Sequence, residues 1–370
     1  MTFLLAAVFL PLLLSPLAYI FGRKLGTNFA TWFSFSILAI STILLMIPAM
    51  SLKSGSNEGY QESYQWSQFG NFGLRLDGLS LPFALIIYIL CTVLALYSKP
   101  YMIHKITETA NEIFRVGPNG SNGARNKNDY AGRNDYHTSR TTNSESQSES
   151  NENSYNRSDS PQIATYTPKE IKQYVNTQVG LYFALYLAFS MGMLGTVLAT
   201  NLIEFFVFFE LMLVPSFFLI AFYGYGAKRR IALMFFFWTH VGAVVLLLGL
   251  LAMGFFAGGF DYDTVRANVK NIPANWMSII IFSLVIGLGV KLAAFLLHIW
   301  LPYAHAEAPT PVSALLSPAM IGIGAYGLLR LWLELLTGNY TQYSLYINIW
   351  GLATMIYGGA MALMQDDVKK

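Results

Sequence analysis

Long apolar stretches separated by short polar ones dominate the chain. Runs long enough to cross a bilayer lie at roughly 3–22, 30–50, 79–98, 180–200, 202–223, 231–256, 277–300, 311–336 and 345–364. Most are apolar on every face. That suits helices surrounded by lipid or by one another better than helices laid on a water-soluble core, which carry a single apolar stripe. The pattern predicts an all-α, polytopic transmembrane bundle of about nine helices. The opening run, MTFLLAAVFLPLLLSPLAYIFGRK, has no basic stretch ahead of it and is too long for the apolar part of a signal peptide. Its positive charges, Arg23 and Lys24, follow the run, so it reads as a retained first helix.

One stretch breaks the alternation. Pro118 to Pro161 contains no Leu, Ile, Val, Met, Phe or Trp, and the run SESQSESNENSYNRSDS is of low complexity. Such a segment cannot bury enough apolar area to offset the entropy of ordering it. We expect a disordered polar cytoplasmic insertion over 106–178, a tolerated loop and not a docking tail, separating an N-terminal three-helix segment (1–105) from the rest.

Composition strengthens the membrane reading. Of 370 residues 54% are hydrophobic and 12% charged, and the mean hydropathy is +0.45; soluble domains carry about 25% charged residues. The net charge of +3 is gathered in short basic clusters between apolar runs, which is unlike a nucleic-acid groove. If the helices alternate, Arg23, Lys24, Lys99, Lys105, Lys228, Arg229, Arg230, Lys369 and Lys370 share one side. The positive-inside rule then places a multi-pass chain in the inner (plasma) membrane, its N-terminus outside and Lys370 in the cytoplasm. The single cysteine, Cys91, has no partner within the chain, and no Cys/His spacing suggests a metal or cluster.

The chemistry is expected where charge sits among apolar residues. Glu210 lies in NLIEFFVFFELMLVPSFFLI and Lys291 in IIIFSLVIGLGVKLAAFLLHIWLP, both reading as mid-helix. An ionisable group at such depth must find a partner or lose its charge, and it commonly marks an ion path. A Glu–Lys pair that is made and broken moves a proton; a permanent one only locks two helices. Glu204, six residues before Glu210, points to another face and reads as interfacial. His240 reads as a satisfied core residue. His298, seven residues after Lys291, would lie two turns along the same face as a relay group. Beyond it, WLPYAHAEAPTPVSALLSP places His305 and Glu307 among Pro302, Pro309 and Pro311. Those prolines mark either a broken helix, as at transporter ion sites, or a short loop.

In order along the chain, FALYLAFSMGMLGTVLATNLIEFFVFFELMLVPSFFLI, KLAAFLLHIWLPYAHAEAPTPVSALL, AYGLLRLW and IYGGAMALMQDDVKK resemble the antiporter-like proton-translocating membrane subunits of respiratory complex I, of the chain M or chain 4 type. The resemblance covers nearly everything outside 106–178. It implies two inverted five-helix repeats, each with a broken helix: 179–337 would be the first, and 338–370 would open a second that is C-terminally incomplete. It implies proton movement along a polar axis at mid-membrane, driven by quinone reduction elsewhere in the assembly. Glu210 and Lys291 would form the translocation pair, and His298, His305 and Glu307 a possible relay. Other membrane-arm subunits and the lipid bilayer would be the partners, with no nucleic acid and no cofactor or redox centre in this chain. The same resemblance leaves open a subunit of a multisubunit cation/proton antiporter, a membrane-bound hydrogenase subunit, and a non-pumping assembly scaffold. The chain departs from the family pattern at Met234 and Gly322, where lysines are usual, at Ala293 and Leu296, where prolines are usual, and at Tyr303, where an aspartate is usual.

Overall fold

A computed structural model describes residues 2–52, 59–67, 70–114, 168–336 and 341–365. The apolar runs form helices because a backbone in lipid must satisfy its own hydrogen bonds. The first are α1 (Phe3–Leu25), α2 (Thr27–Ser51), α3 (Ser80–Phe114) and α4 (Pro168–Leu198). The run 202–223 divides at Met212 into α5 (Leu202–Leu211) and α6 (Leu213–Tyr223). Pro215, just beyond, lacks the N–H that would bond to Leu211, which explains the interruption. Then come α7 (Lys228–Ala257), α8 (Tyr262–Asn268), α9 (Ala274–Leu292), α10 (Trp300–Glu307), α11 (Thr310–Leu315), α12 (Ile321–Gly327) and α13 (Thr341–Leu363). Wide π turns at Leu316–Met320 and Leu328–Glu334 carry α11 through α12 as one long element.

Among the described residues eight helical stretches are long and apolar enough to span a membrane, from Phe3–Leu25 to Thr310–Glu334. The ninth expected crossing is helical, as α13, but its Thr, Gln, Tyr, Ser, Asn and Gly residues dilute its apolarity and it does not join the eight. α4 is the central helix, with 78% of its apolar window buried against 33% for α1, α2, α3 and α7. Gly22 and Gly180 allow α1 and α4 to approach closely, since a β-carbon on Gly22 would stand 2.4 Å from Gly180 Cα. Ile43, Leu248 and Phe282 are more than half exposed on the rim, as lipid-facing side chains should be.

The membrane bundle is all-α, as expected, but a hairpin outside it, one boundary and one helix depart from the expectations. Residues 60–76 form an antiparallel hairpin of β1 (Tyr60–Ser67) and β2 (Gly70–Leu76), with Tyr60 opposite Leu76 and Tyr64 opposite Phe72. Its signal was the alternation of Tyr60, Glu62, Tyr64 and Trp66 with Gln61, Ser63 and Gln65. Secondly, the expected insertion 106–178 is too wide. α3 runs on to Phe114 and α4 begins at Pro168, because aqueous helix ends tolerate polar residues; 115–167 lies outside the described residues. Finally, the run 277–300 is not one helix, since α9 stops at Leu292.

The hairpin ties one end of the bundle together. The Glu62 carboxylate accepts from the Leu4 and Leu5 N–H groups, both at 2.9 Å, and so caps the start of α1. Leu74 bridges Ala199 and the Thr200 N–H donates to Gly73 O (3.1 Å), which binds β2 to the top of α4. Asp77 pairs with Arg330 at 2.7 Å, and Arg330 also reaches Glu334, which is itself paired with Arg266. Burial pushes the Asp77 carboxyl up, but the hydrogen bonds and charge of Arg330, with bonds from Ser80, outweigh it and hold the carboxyl below its ordinary range. The opposite, basic end is joined by the Tyr225 N–H to Glu307 O (2.8 Å) and by Tyr223 OH to Gln178 O (2.8 Å).

Candidate functional site

The site is built on the break after α9. Ala293 turns into the left-handed region (φ 56°), and Leu296 follows at φ 72°. Side chains with a β-carbon are strained there, and proline, locked near −65°, reaches neither. Alanine and leucine at these two positions therefore allow a turn that proline would forbid. Three indoles satisfy the carbonyls that this turn removes from the helix. Trp300 donates to Val290 O (2.8 Å), Trp238 to Leu297 O (3.0 Å) and Trp350 to Phe295 O (3.0 Å). The Phe295 N–H in turn donates to Thr354 Oγ1 at 3.0 Å. Irregular backbone at membrane depth persists only when the surrounding protein supplies such partners.

Lys291 sits one residue before that end, in the last turn of α9 and not at mid-helix. It is 1% exposed, and its Nζ has no hydrogen-bond partner among the described residues. Three groups offset part of the cost of burying a cation there. The carbonyl end of α9 is the negative pole of the helix, Nζ stands 4.8 Å from the centre of the Phe209 ring, and Glu210 is the charged group that acts on it. Glu210 and Lys291 thus lie within electrostatic reach of each other, and among the described residues no ion pair joins them.

Glu210 is held instead by His240, whose Nδ1 lies 2.7 Å from Glu210 Oε2. The imidazole stacks on Phe236, with centroids 5.7 Å apart and planes 8° from parallel. Sequence reasoning passed over His240 because a single histidine in an apolar helix carries no partner in the sequence. The acid, base and ammonium come from α5, α7 and α9, three elements that only the packed bundle brings together.

The remaining expected groups lie elsewhere. His298 is beyond the break, so the argument from helical phase fails; it packs on Tyr357 (4.9 Å between centroids) and borders a cavity of about 160 Å³ that Thr354 also lines. His305 Nδ1 meets Ser313 Oγ at 2.7 Å. Glu307 belongs to the basic end, where its carboxylate oxygens lie against Gly226. α6 separates that end from Glu210 by about 20 Å of helix rise. Glu204 is not interfacial: it is 1% exposed beneath the hairpin, which supplies the cover that the helix alone lacks. At Gly322 a β-carbon would meet nothing within 4 Å, so packing does not require glycine there. Among the described residues no cluster of three or more His, Cys, Asp or Glu could hold a metal ion.

In this bundle of membrane-spanning segments a partly buried acid and imidazole and a buried lysine stand beside a helix break. Residues 199–370 match the family model described as NADH:quinone oxidoreductase/Mrp antiporter, transmembrane. Among curated relatives, NAD(P)H-quinone oxidoreductase chain 4-3 of a Nostoc species is 35% identical over 196 residues, 53% of this chain and 35% of that protein. A chain 4 of Thermosynechococcus vestitus is 33% identical over 208 residues, 56% of this chain and 38% of that protein. The chain thus spans little more than a third of these relatives. Solved structures share the fold over 99% of this chain. An archaeal membrane-bound sulfane sulfur reductase matches with a TM-score of 0.71 at 15% identity, covering 60% of that chain. Respiratory complex I of Thermus thermophilus gives 0.68 at 18% and 60%, and the Mrp complex of a Dietzia species 0.69 at 22% and 32%.

Proposed function

We propose that the chain is a proton-translocating membrane-arm subunit of a complex-I-like quinone reductase, acting with other membrane-arm subunits and holding no redox centre itself. The observation that carries this reading is Lys291, sealed at the end of α9 with Glu210 as its charged neighbour. A lysine kept from water, with one acid nearby and that acid bonded to His240, can gain or lose a proton when the field around Glu210 changes. The family match and the names of the curated relatives support quinone reduction as the driving reaction. In this reading 179–337 is the first five-helix repeat, α13 is a further crossing that opens a second, and the basic end faces the cytoplasm, with the N-terminus and hairpin outside. His298 would serve the lysine through the neighbouring cavity, while His305 and Glu307 would act at the cytoplasmic mouth.

The test is proton uptake by inside-out vesicles energised with NADH or NADPH. Glu210→Gln and Lys291→Met should each abolish uptake while leaving the complex assembled; wild-type uptake in either variant overturns the assignment. Because the matched family spans both quinone reductases and Mrp antiporters, the same vesicles should be given a sodium gradient without reductant. Sodium-driven proton movement would favour the antiporter reading.

A further inference from the structure

Beneath the hairpin lies a second group of buried ionisable side chains that the pair of Glu210 and Lys291 does not use. Glu204, in the first turn of α5, is 1% exposed. Its Oε2 accepts from the N–H groups of Gly73 (3.2 Å) and Thr200 (3.4 Å), while Oε1 has no partner among the described residues. Neither donor is a cation, and among the described residues no ion pair reaches Glu204; Asp261 is a nearby acid. The second observation is Tyr262, at the start of α8. It is 1% exposed, its hydroxyl has no hydrogen-bond partner among the described residues, and it lies within electrostatic reach of Glu204, Tyr326, Arg330 and Arg75. Arg330 Nε donates to Tyr326 OH (2.9 Å), and its Nη2 donates to the half-buried Asp77. A buried carboxyl with one idle oxygen and a buried phenol with an idle hydroxyl are expensive to keep unless they serve one another or a passing proton.

Position gives the pair a direction. Glu204 is six residues above Glu210, about 9 Å nearer the hairpin along the helix. Met212, where the helix is interrupted, lies on the other side of Glu210, so α5 is unbroken between the two acids. The rings of Phe205 and Phe209 stack 5.9 Å apart on the same helix, and Lys291 Nζ faces the Phe209 ring.

We propose that Glu204 is the proton-accepting group of the hairpin-side half of the bundle, with the Tyr262 hydroxyl as its relay partner. This rests on the proton-translocating reading above and extends it to the discharge side. A proton leaving the region of Glu210 and Lys291 binds Glu204 Oε1, giving the neutral acid. The acid then gives it to the Tyr262 oxygen as the phenol releases its own proton toward the hairpin face. The carboxylate and the phenol are both regenerated, and no electron moves.

The experiment uses vesicles carrying the complete complex with Glu204→Gln, Glu204→Asp, Tyr262→Phe or, in parallel, Glu210→Gln. Protons moved per electron are measured together with infrared difference spectra between resting and turning-over enzyme. Glu204→Gln should lower protons per electron about tenfold or more, and Glu204→Asp should restore much of it. A carboxylic-acid C=O band that shifts in heavy water should vanish in Glu204→Gln. Wild-type stoichiometry in Glu204→Gln, with pumping abolished in Glu210→Gln, overturns this proposal and leaves the translocating function standing. Normal pumping in Glu210→Gln removes that function. The infrared band then decides for Glu204 alone, its absence counting against a proton-carrying role. Should Glu204→Gln fail to assemble, Tyr262→Phe decides the relay: slowed pumping in an intact complex supports it, and wild-type pumping overturns it.

Discussion

Lys291, Glu210 and His240 illustrate how little of a polar site belongs to any one residue. The ammonium is tolerated because the end of α9, the face of Phe209 and the charge of Glu210 act on it together. Removing His240 should therefore matter although it touches no other expected relay group. His240→Phe keeps the stack on Phe236 but leaves the Glu210 carboxylate without its 2.7 Å partner. We expect proton translocation to fall by about tenfold to a hundredfold, with assembly retained, in the vesicle assay. Unchanged translocation in His240→Phe would make the imidazole a packing residue.

At the scale of elements the break after α9 is the feature on which the site depends, and its stability lies in the indoles. Trp300→Phe keeps an aromatic ring but a smaller one, and it takes from Val290 O one of its two donors, leaving the Ala293 N–H at 3.2 Å. The expected loss is about 1–3 kcal/mol, read as a lower unfolding midpoint in detergent. The left-handed residues allow a test of opposite sign. Ala293→Gly relieves strain at φ 56° and should raise or preserve the midpoint, whereas Ala293→Pro demands a φ the turn cannot supply and should prevent assembly. A fully assembled Ala293→Pro protein would mean that the turn differs from the one described.

For the molecule as a whole, the long-range fastening is Asp77 to Arg330, joining the end of the hairpin to the last π turn. Asp77 titrates lower folded than unfolded, so its contribution is fully present above the ordinary carboxylate range, about pH 3.9. It is lost as pH falls through the lower, folded value. Asp77→Asn should cost about 1–3 kcal/mol near neutrality, because Arg330 keeps Glu334 but loses its charged hydrogen bond to the hairpin end. The variant should also lose stability less steeply than wild type on acidification. Parallel acid-unfolding curves for the two proteins would exclude the pair as the fastening.

The sequence by itself determined that the chain belongs in a membrane and where nearly every crossing lies. Bilayer thickness fixes the length of an apolar run, and backbone satisfaction in lipid makes that run helical. It also singled out Glu210 and Lys291, because a charge in such a run is costly wherever the helix points. Only the tertiary structure decided that His240 holds Glu210, that α9 ends at Leu292, and that Glu204 is sealed by a hairpin instead of meeting the interface. Each depends on a partner more than twenty residues away or on a strained turn. Hydrophobic periodicity reports only the surroundings of a segment, and carries no information about which distant carbonyl, indole or carboxylate will stand against it.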